Sequence, residues 1–262
     1  MEVVIVPTLK CNFTCNFCSQ AVERIHKPNS LIDLSLLEKK LKTLQNITSL
    51  RVYGGEITIL PEDYLNAFFD ILDSYNLPIA VYTNLYNVPD RIRKYRIVVG
   101  FNFNEKLHAD RVIGNMLSLD SFHIVTVMTK DILRKDINEL ISFYETFSNL
   151  ENVFFAPYIT NEKNKEHGTN FYDIVGFLKK IKSLNPKFKI VNFLKKDVLE
   201  HYEDIVIDCD LTIKEYSAMN TDGTKKRFTT CDNCDVTNFC GLRKYTPHDD
   251  YRKCEMRELL SE

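Results

Sequence analysis

The chain lacks any run of eighteen apolar residues, so a membrane-spanning helix is not expected. It also lacks a secretory signal: Met1-Glu-Val-Val-Ile-Val6 is too short and begins with an acid. A net charge of −2, with 27% charged residues, leaves no polycationic surface for a nucleic acid. Lys225-Lys-Arg227 and Lys179-Lys180 are short runs of the kind that face solvent. No Walker-type loop is present, which excludes the usual phosphoryl-transfer designs, and no nucleophile motif marks a hydrolase. Low-complexity tracts and internal repeats are missing too. Most telling is a gap: no cysteine lies between Cys18 and Cys209.

What is present fits a soluble α/β protein. At 262 residues and 44% hydrophobic content, the chain can bury a sizeable core in one large domain or two modest ones. Val3 to Val6 is a continuous apolar run, as expected for a strand covered on both faces. Further strands are predicted at 50–53, 78–83, 96–99, 122–128 and 152–155. Helical stripes fall between them. Leu34, Leu37, Leu41 and Leu44 form one, with Ser35-x-x-Glu38 as a capping box; Leu65, Phe68, Phe69 and Leu72 form another, opened by Pro61. Leu133, Ile137, Leu140, Ile141 and Tyr144 read as a single helix, and Phe171, Ile174, Val175, Leu178 and Ile181 as another. Six alternations argue for a parallel sheet. The polar stretch 160–170 is the most loop-like segment. From about residue 205 the pattern changes: Leu211 and Ile213 alternate with polar residues, and Asp222-Gly223 suits a hairpin turn.

The cysteines cluster at the two ends. Cys11, Cys15 and Cys18 sit within eight residues; Cys209, Cys231, Cys234, Cys240 and Cys254 occupy the last 54. A disulfide scaffold would be smaller and more evenly spaced, so metal binding in a reducing cytoplasm is expected. Three thiolates on one loop can hold three irons of a cubane and leave the fourth open for chemistry. The rival is a zinc knuckle completed by a residue such as His26.

Cys11-x3-Cys15-x2-Cys18 after a first strand resembles the signature of the radical SAM (S-adenosylmethionine) superfamily, and Tyr53-Gly54-Gly55-Glu56 after the second strand resembles its GGE motif. The resemblance implies a partial (β/α)6 TIM-like barrel at 1–190. It implies a [4Fe–4S] cluster on Cys11, Cys15 and Cys18, and S-adenosyl-L-methionine held by Phe17, Gly54, Gly55 and Glu56. Tyr82-Thr83-Asn84 resembles a T-N-G segment with Leu85 in the glycine's place, which adds Thr83. The segment from Gly100 to Arg111 resembles the S-L-D-G…H-D-x-x-R of peptide- and sulfatase-modifying members. Gly100 replaces the serine, and Asn102 replaces the aspartate as a candidate cofactor contact; His108 is expected as a satisfied polar residue at a helix start.

The late cysteines around a hairpin resemble a SPASM or Twitch extension, here a small cysteine-rich β-hairpin/helix domain at 205–262. That likeness implies a second, auxiliary [4Fe–4S] cluster on four of Cys209, Cys231, Cys234, Cys240 and Cys254; a structural zinc site is the alternative. The implied activity is reductive cleavage of SAM to a 5′-deoxyadenosyl radical that abstracts a substrate hydrogen. It would be fed by a flavodoxin- or ferredoxin-type reductant and act on a peptide by crosslinking, epimerising or oxidising a residue. A small-molecule dehydrogenase of aminocyclitol or carbohydrate type is the second reading. A non-catalytic zinc module is the third. No catalytic acid or base is assigned.

Overall fold

The computed structural model describes residues 1–27, 30–103, 108–156, 158, 169–193, 204–216 and 259. All six predicted strands are present: β1 (Glu2–Ile5), β2 (Ser49–Val52), β3 (Ile79–Thr83), β4 (Arg96–Gly100), β5 (Phe122–Val127) and β6 (Leu150–Ala156). Three more join them, β7 (Lys189–Ile190), β8 (Asp204–Ile207) and β9 (Ile213–Tyr216). They form one sheet in the order β7-β6-β5-β4-β3-β2-β1-β8-β9. Every pairing is parallel except β8 with β9, and β7 and β9 end the sheet without meeting. The sheet therefore runs on beyond residue 190: β8 pairs in parallel with β1, from Glu2↔Asp204 to Ile5↔Ile207.

That neighbour explains why the first strand is apolar on both faces. β1 lies between β2 and β8 with all four residues buried. Val3 and Ile5 face the main core, whereas Val4 and Val6 face a second cluster with Leu9, Val206 and Cys209. The helices are α1 (Ala21–His26), α2 (Leu34–Thr43), α3 (Glu62–Asp73), α4 (Ala109–Leu117), α5 (Lys130–Leu133), α6 (Ile137–Glu145) and α7 (Phe171–Leu184). The predicted stripe is buried in full on α3, at Leu65, Phe68, Phe69 and Leu72, and in part on α2, at Leu37 and Leu41.

Local chemistry corrects several boundaries. Asp33, not Ser35, caps α2: its carboxylate accepts from the Leu36 amide at 3.0 Å, while Glu38 pairs with Lys42 one turn on. Leu44 ends that helix as its C-cap, and Pro61 precedes α3 at the N-cap position. The stripe from Leu133 to Tyr144 belongs to two helices, because Thr129 caps α5 and Asp136 starts α6 by accepting from the Asn138 amide. No described helix is long and apolar enough to cross a membrane. The predicted loop at 160–168, the turn at Asp222-Gly223, the basic run at 225–227 and Cys231, Cys234, Cys240 and Cys254 lie outside the described residues.

Candidate functional site

Parallel strands deliver their C-terminal ends to one edge of the sheet, where open α/β folds assemble their sites. The segments after β1, β2, β3 and β4 interlock there. Pro7 to Lys10 leads from β1 into the cysteine loop and is held from both sides. On one side the Thr8 hydroxyl donates to the Ser30 carbonyl at 2.7 Å, and the Ser30 hydroxyl accepts from the Leu9 amide at 2.7 Å. On the other, the Gly55 amide donates to the Thr8 carbonyl at 2.8 Å and the Glu56 amide to the Lys10 carbonyl at 2.6 Å.

The two glycines are explained by this contact. A Cβ on Gly54, whose φ is +150°, would lie 2.7 Å from the Thr8 carbonyl oxygen, and one on Gly55 would collide with the Lys10 carbonyl. The close approach they permit is to the chain's own cysteine loop. They dock that loop onto β2.

Glu56 is buried, 1% exposed, and organises the next layer. Its Oε1 accepts from the Thr58 amide at 3.0 Å, the Thr58 hydroxyl at 2.7 Å and the Thr83 hydroxyl at 2.8 Å. Among the described residues its Oε2 accepts from one donor, the Asn84 amide, at 2.6 Å. Burial lifts the carboxyl above its ordinary range, and these donors offset part of that rise. An oxygen with spare lone-pair capacity in a buried carboxylate suits a cationic ligand.

Asn84 continues the chain of contacts. Its Nδ2 donates to Asn12 Oδ1 at 2.8 Å and lies 3.8 Å from the Cys11 sulfur, and its Oδ1 accepts from the Tyr86 amide. Leu85 follows in the left-handed region, φ +57°, and is fully buried. The backbone shape expected of the motif's glycine is thus kept by a leucine. The conformation costs about 1 kcal/mol and burial of the side chain returns about 2 kcal/mol. Phe103 repeats the pattern after β4, at φ +58°.

The thiols of Cys11, Cys15 and Cys18 are half-buried and form no disulfide. Cys11 accepts from the Phe13 amide at 3.4 Å. Burial raises its thiol, and that donor together with Arg24 opposes the rise. Arg24, on α1, donates to the Phe13 carbonyl at 3.0 Å and reaches the Cys18 sulfur at 3.5 Å. Among the described residues no three His, Cys, Asp or Glu side chains gather closely enough to hold a single metal ion. Three sulfurs spread along a loop beside N–H donors and a guanidinium fit the thiolate set of a cluster.

The other expected residues fall into different roles. Thr83 bonds Glu56 and accepts from the Leu85 amide, so it positions the carboxylate. Asn102, 6% exposed, exchanges two 2.8 Å bonds with the Val127 backbone and fastens the ends of β4 and β5; its amide serves the sheet. Phe17 is half-exposed on the loop. His108 is not held as a polar cap: it precedes α4 without a side-chain capping bond and stacks on buried Phe13 at 5.1 Å, with Tyr86 edge-on to both. A small cleft at this point is lined by Phe13, Asn84, Asn102, Phe103 and His108. Asn84 entered only as part of the T-N-G-like segment, and Phe13, Arg24 and Ser30 were not singled out by sequence. Phe13 sits inside the Cys11–Cys15 spacer and could have been suspected; the others carry no local signal.

Cys209 lies two residues past β8, at the same edge, 7% exposed among Val4, Val6, Leu9 and Val206. Burial, with Asp208 beside it, pushes the thiol up to about 11.

Comparison with protein families finds no match, and neither does comparison with curated protein sequences. Solved structures do match. The chain superposes on anSMEcpe with bound AdoMet and Cp18Cys peptide at a TM-score of 0.70 and 14% identity, over 99% of this chain and 95% of that one. Streptococcus suis SuiB bound to S-adenosylmethionine gives 0.64 and 17%, over 98% and 71%. SuiB bound to precursor peptide SuiA gives 0.63 and 17%, over 98% and 70%. At these identities the likeness establishes the fold: an open, parallel α/β sheet of the partial TIM-barrel type.

Proposed function

We propose that the chain is a radical SAM enzyme acting on a peptide. The observation that carries this reading is the docked triad loop. Cys11, Cys15 and Cys18 are presented at the sheet edge by a segment clamped onto Gly54-Gly55, one residue from a buried carboxylate that holds an acceptor in reserve. In this reading the three thiolates hold a [4Fe–4S] cluster and Glu56 faces the ammonium of S-adenosyl-L-methionine. Bound together, cluster and SAM would supply reductive cleavage, in which one electron from an external reductant splits SAM into methionine and a 5′-deoxyadenosyl radical able to take a hydrogen atom from the substrate.

The chain's own residues do the rest. Thr58, Thr83 and the Asn84 amide keep the Glu56 carboxylate ionisable and oriented despite its burial. Phe13, His108 and Tyr86 stack into an apolar wall beside the loop and keep water from its inner side. Support for a peptide substrate comes from the shared fold, since anSMEcpe and SuiB are both seen with peptides bound. From their clustering in the sequence, we further assign Cys209 and the later cysteines to an auxiliary cluster, in a C-terminal domain from 205 to 262.

The test is anaerobic iron and sulfide analysis with electron paramagnetic resonance, on the wild type and on a variant with all three loop cysteines changed to alanine. About eight irons falling to about four supports two cubanes. About four falling to none leaves one cluster and removes the auxiliary assignment. No iron in reconstituted protein removes the reading altogether. Release of 5′-deoxyadenosine under strong reductant, increased by peptide, completes it.

A further inference from the structure

α1 leaves the cysteine loop three residues after Cys18 and turns Arg24 back against it. One guanidinium nitrogen, Nη1, donates to the Phe13 carbonyl at 3.0 Å, inside the Cys11–Cys15 spacer. The other, Nη2, lies 3.5 Å from the Cys18 sulfur. Its Nε is buried without an acceptor. A permanent charge is thus anchored at both ends of the loop by one planar group, an arrangement that lysine, with its single ammonium, cannot reproduce. The Phe13 amide and Asn84 Nδ2 are neutral donors that approach Cys11.

Adding one electron to a cluster adds one negative charge. A cation and N–H donors at its sulfurs stabilise the reduced form more than the oxidised one, and partial burial strengthens the effect relative to water. We propose that Arg24 is a positioning residue that raises the reduction potential of the cluster held by Cys11, Cys15 and Cys18, so that an external one-electron donor can reduce it. The inference rests on the reading of the triad given above. In the step concerned, one electron leaves a flavodoxin-type donor or dithionite and enters the cluster; no bond forms or breaks.

The experiment compares wild type, Arg24→Gln, Arg24→Met and Arg24→Lys after anaerobic reconstitution. Iron and sulfide are counted first, and the potential is then read by titration followed by electron paramagnetic resonance. The expected result is unchanged iron with a reduced-to-oxidised ratio about ten-fold lower at a given potential in both neutral variants, a shift of about 59 mV to the negative side for one electron. Arg24→Lys is expected to recover part of it. An unmoved potential in iron-loaded neutral variants overturns the role of Arg24 and leaves the triad reading standing. Loss of iron from both neutral variants also overturns it, since Arg24 would then be needed to build the site. A wild type without iron overturns both.

Discussion

Cys11 and Cys209 follow neighbouring parallel strands at one edge of the sheet, and their surroundings are opposite in kind. Cys11 is half-buried beneath the Phe13 amide, with Asn84 and the Arg24 charge close by, all of which favour a thiolate. Cys209 is packed among three valines and a leucine with Asp208 next to it, and its thiol is held up at about 11. Burial raises both thiols; at the first site an amide donor and a cation oppose the rise, whereas at the second Asp208 adds to it. A metal must displace a proton at either site, and at the second it does so against a thiol raised to about 11. The difference comes from backbone: the first loop is docked by glycines that expose amides and carbonyls to one another, whereas the second belongs to a patch of core.

The largest effect should come from undoing that docking. Gly55→Ala places a methyl in the Lys10 carbonyl and is expected to cost about 4 kcal/mol or prevent folding, with loss of the iron bound by the triad. Urea unfolding with iron analysis reads it. Wild-type stability in that variant would mean the loop is not seated on β2 as described.

Removing the carboxylate beneath should cost somewhat less. Glu56→Ala strands the donors of Thr58, Thr83 and Asn84 and is expected to lower stability by about 3 kcal/mol. Glu56→Gln, which keeps an acceptor, should cost about 1 kcal/mol in the same assay while SAM cleavage collapses. Retained SAM cleavage in Glu56→Gln would show that the charge is not what the site uses.

The other side of the contrast is sharpened at Cys209. Cys209→Ala is expected to cost about 1 kcal/mol, and Cys209→Ser about 2 kcal/mol because a hydroxyl would enter an apolar wall. If Cys209 ligates an auxiliary cluster, iron also falls from about eight to about four. Full iron in Cys209→Ala would make it a packing residue and leave the later cysteines as the ligand set.

The smallest effect concerns how the two cysteine regions are tied together. Lys27, just past α1, pairs with Asp210 beside Cys209. The Lys27 ammonium pulls the Asp210 carboxyl well below its usual range. Its contribution is therefore complete above the unfolded value near pH 4 and fades as pH falls through the lower folded one. Lys27 is raised by the same partner, so the alkaline limb is lost only above the ordinary lysine range. Both groups are solvent-accessible, and the pair should be worth under about 1 kcal/mol. Thermal unfolding from pH 2 to 7 should show a shallower acid limb in Asp210→Asn; identical limbs would remove the tie.

Much of this was legible in the chain. Apolar runs marked the first six strands, and the doubly buried character of Val3–Val6 was visible before its second neighbour, β8, was known. The cysteine spacing and Gly-Gly-Glu pointed to the loops that do meet. Helix starts were misread where an Asp outcompeted a Ser for the cap, because capping depends on which carboxylate reaches a free amide, and spacing alone cannot report that. Asn102 was read by analogy and His108 as a polar residue at a helix start; the fold shows what spacing could not, that Asn102 fastens two strands and His108 stacks on Phe13.

Periodicity and motif spacing are local properties, and they determined the parallel α/β architecture, the triad and the carboxylate beside it. Only the tertiary structure decided what surrounds them. Asn84 meets Cys11 across 73 residues, Lys27 meets Asp210 across 183, and Gly55 answers to a carbonyl on another strand's loop. Such contacts exist only once β1, β2, β3 and β8 lie side by side, because strand pairing sets distances that no stretch of sequence carries within itself.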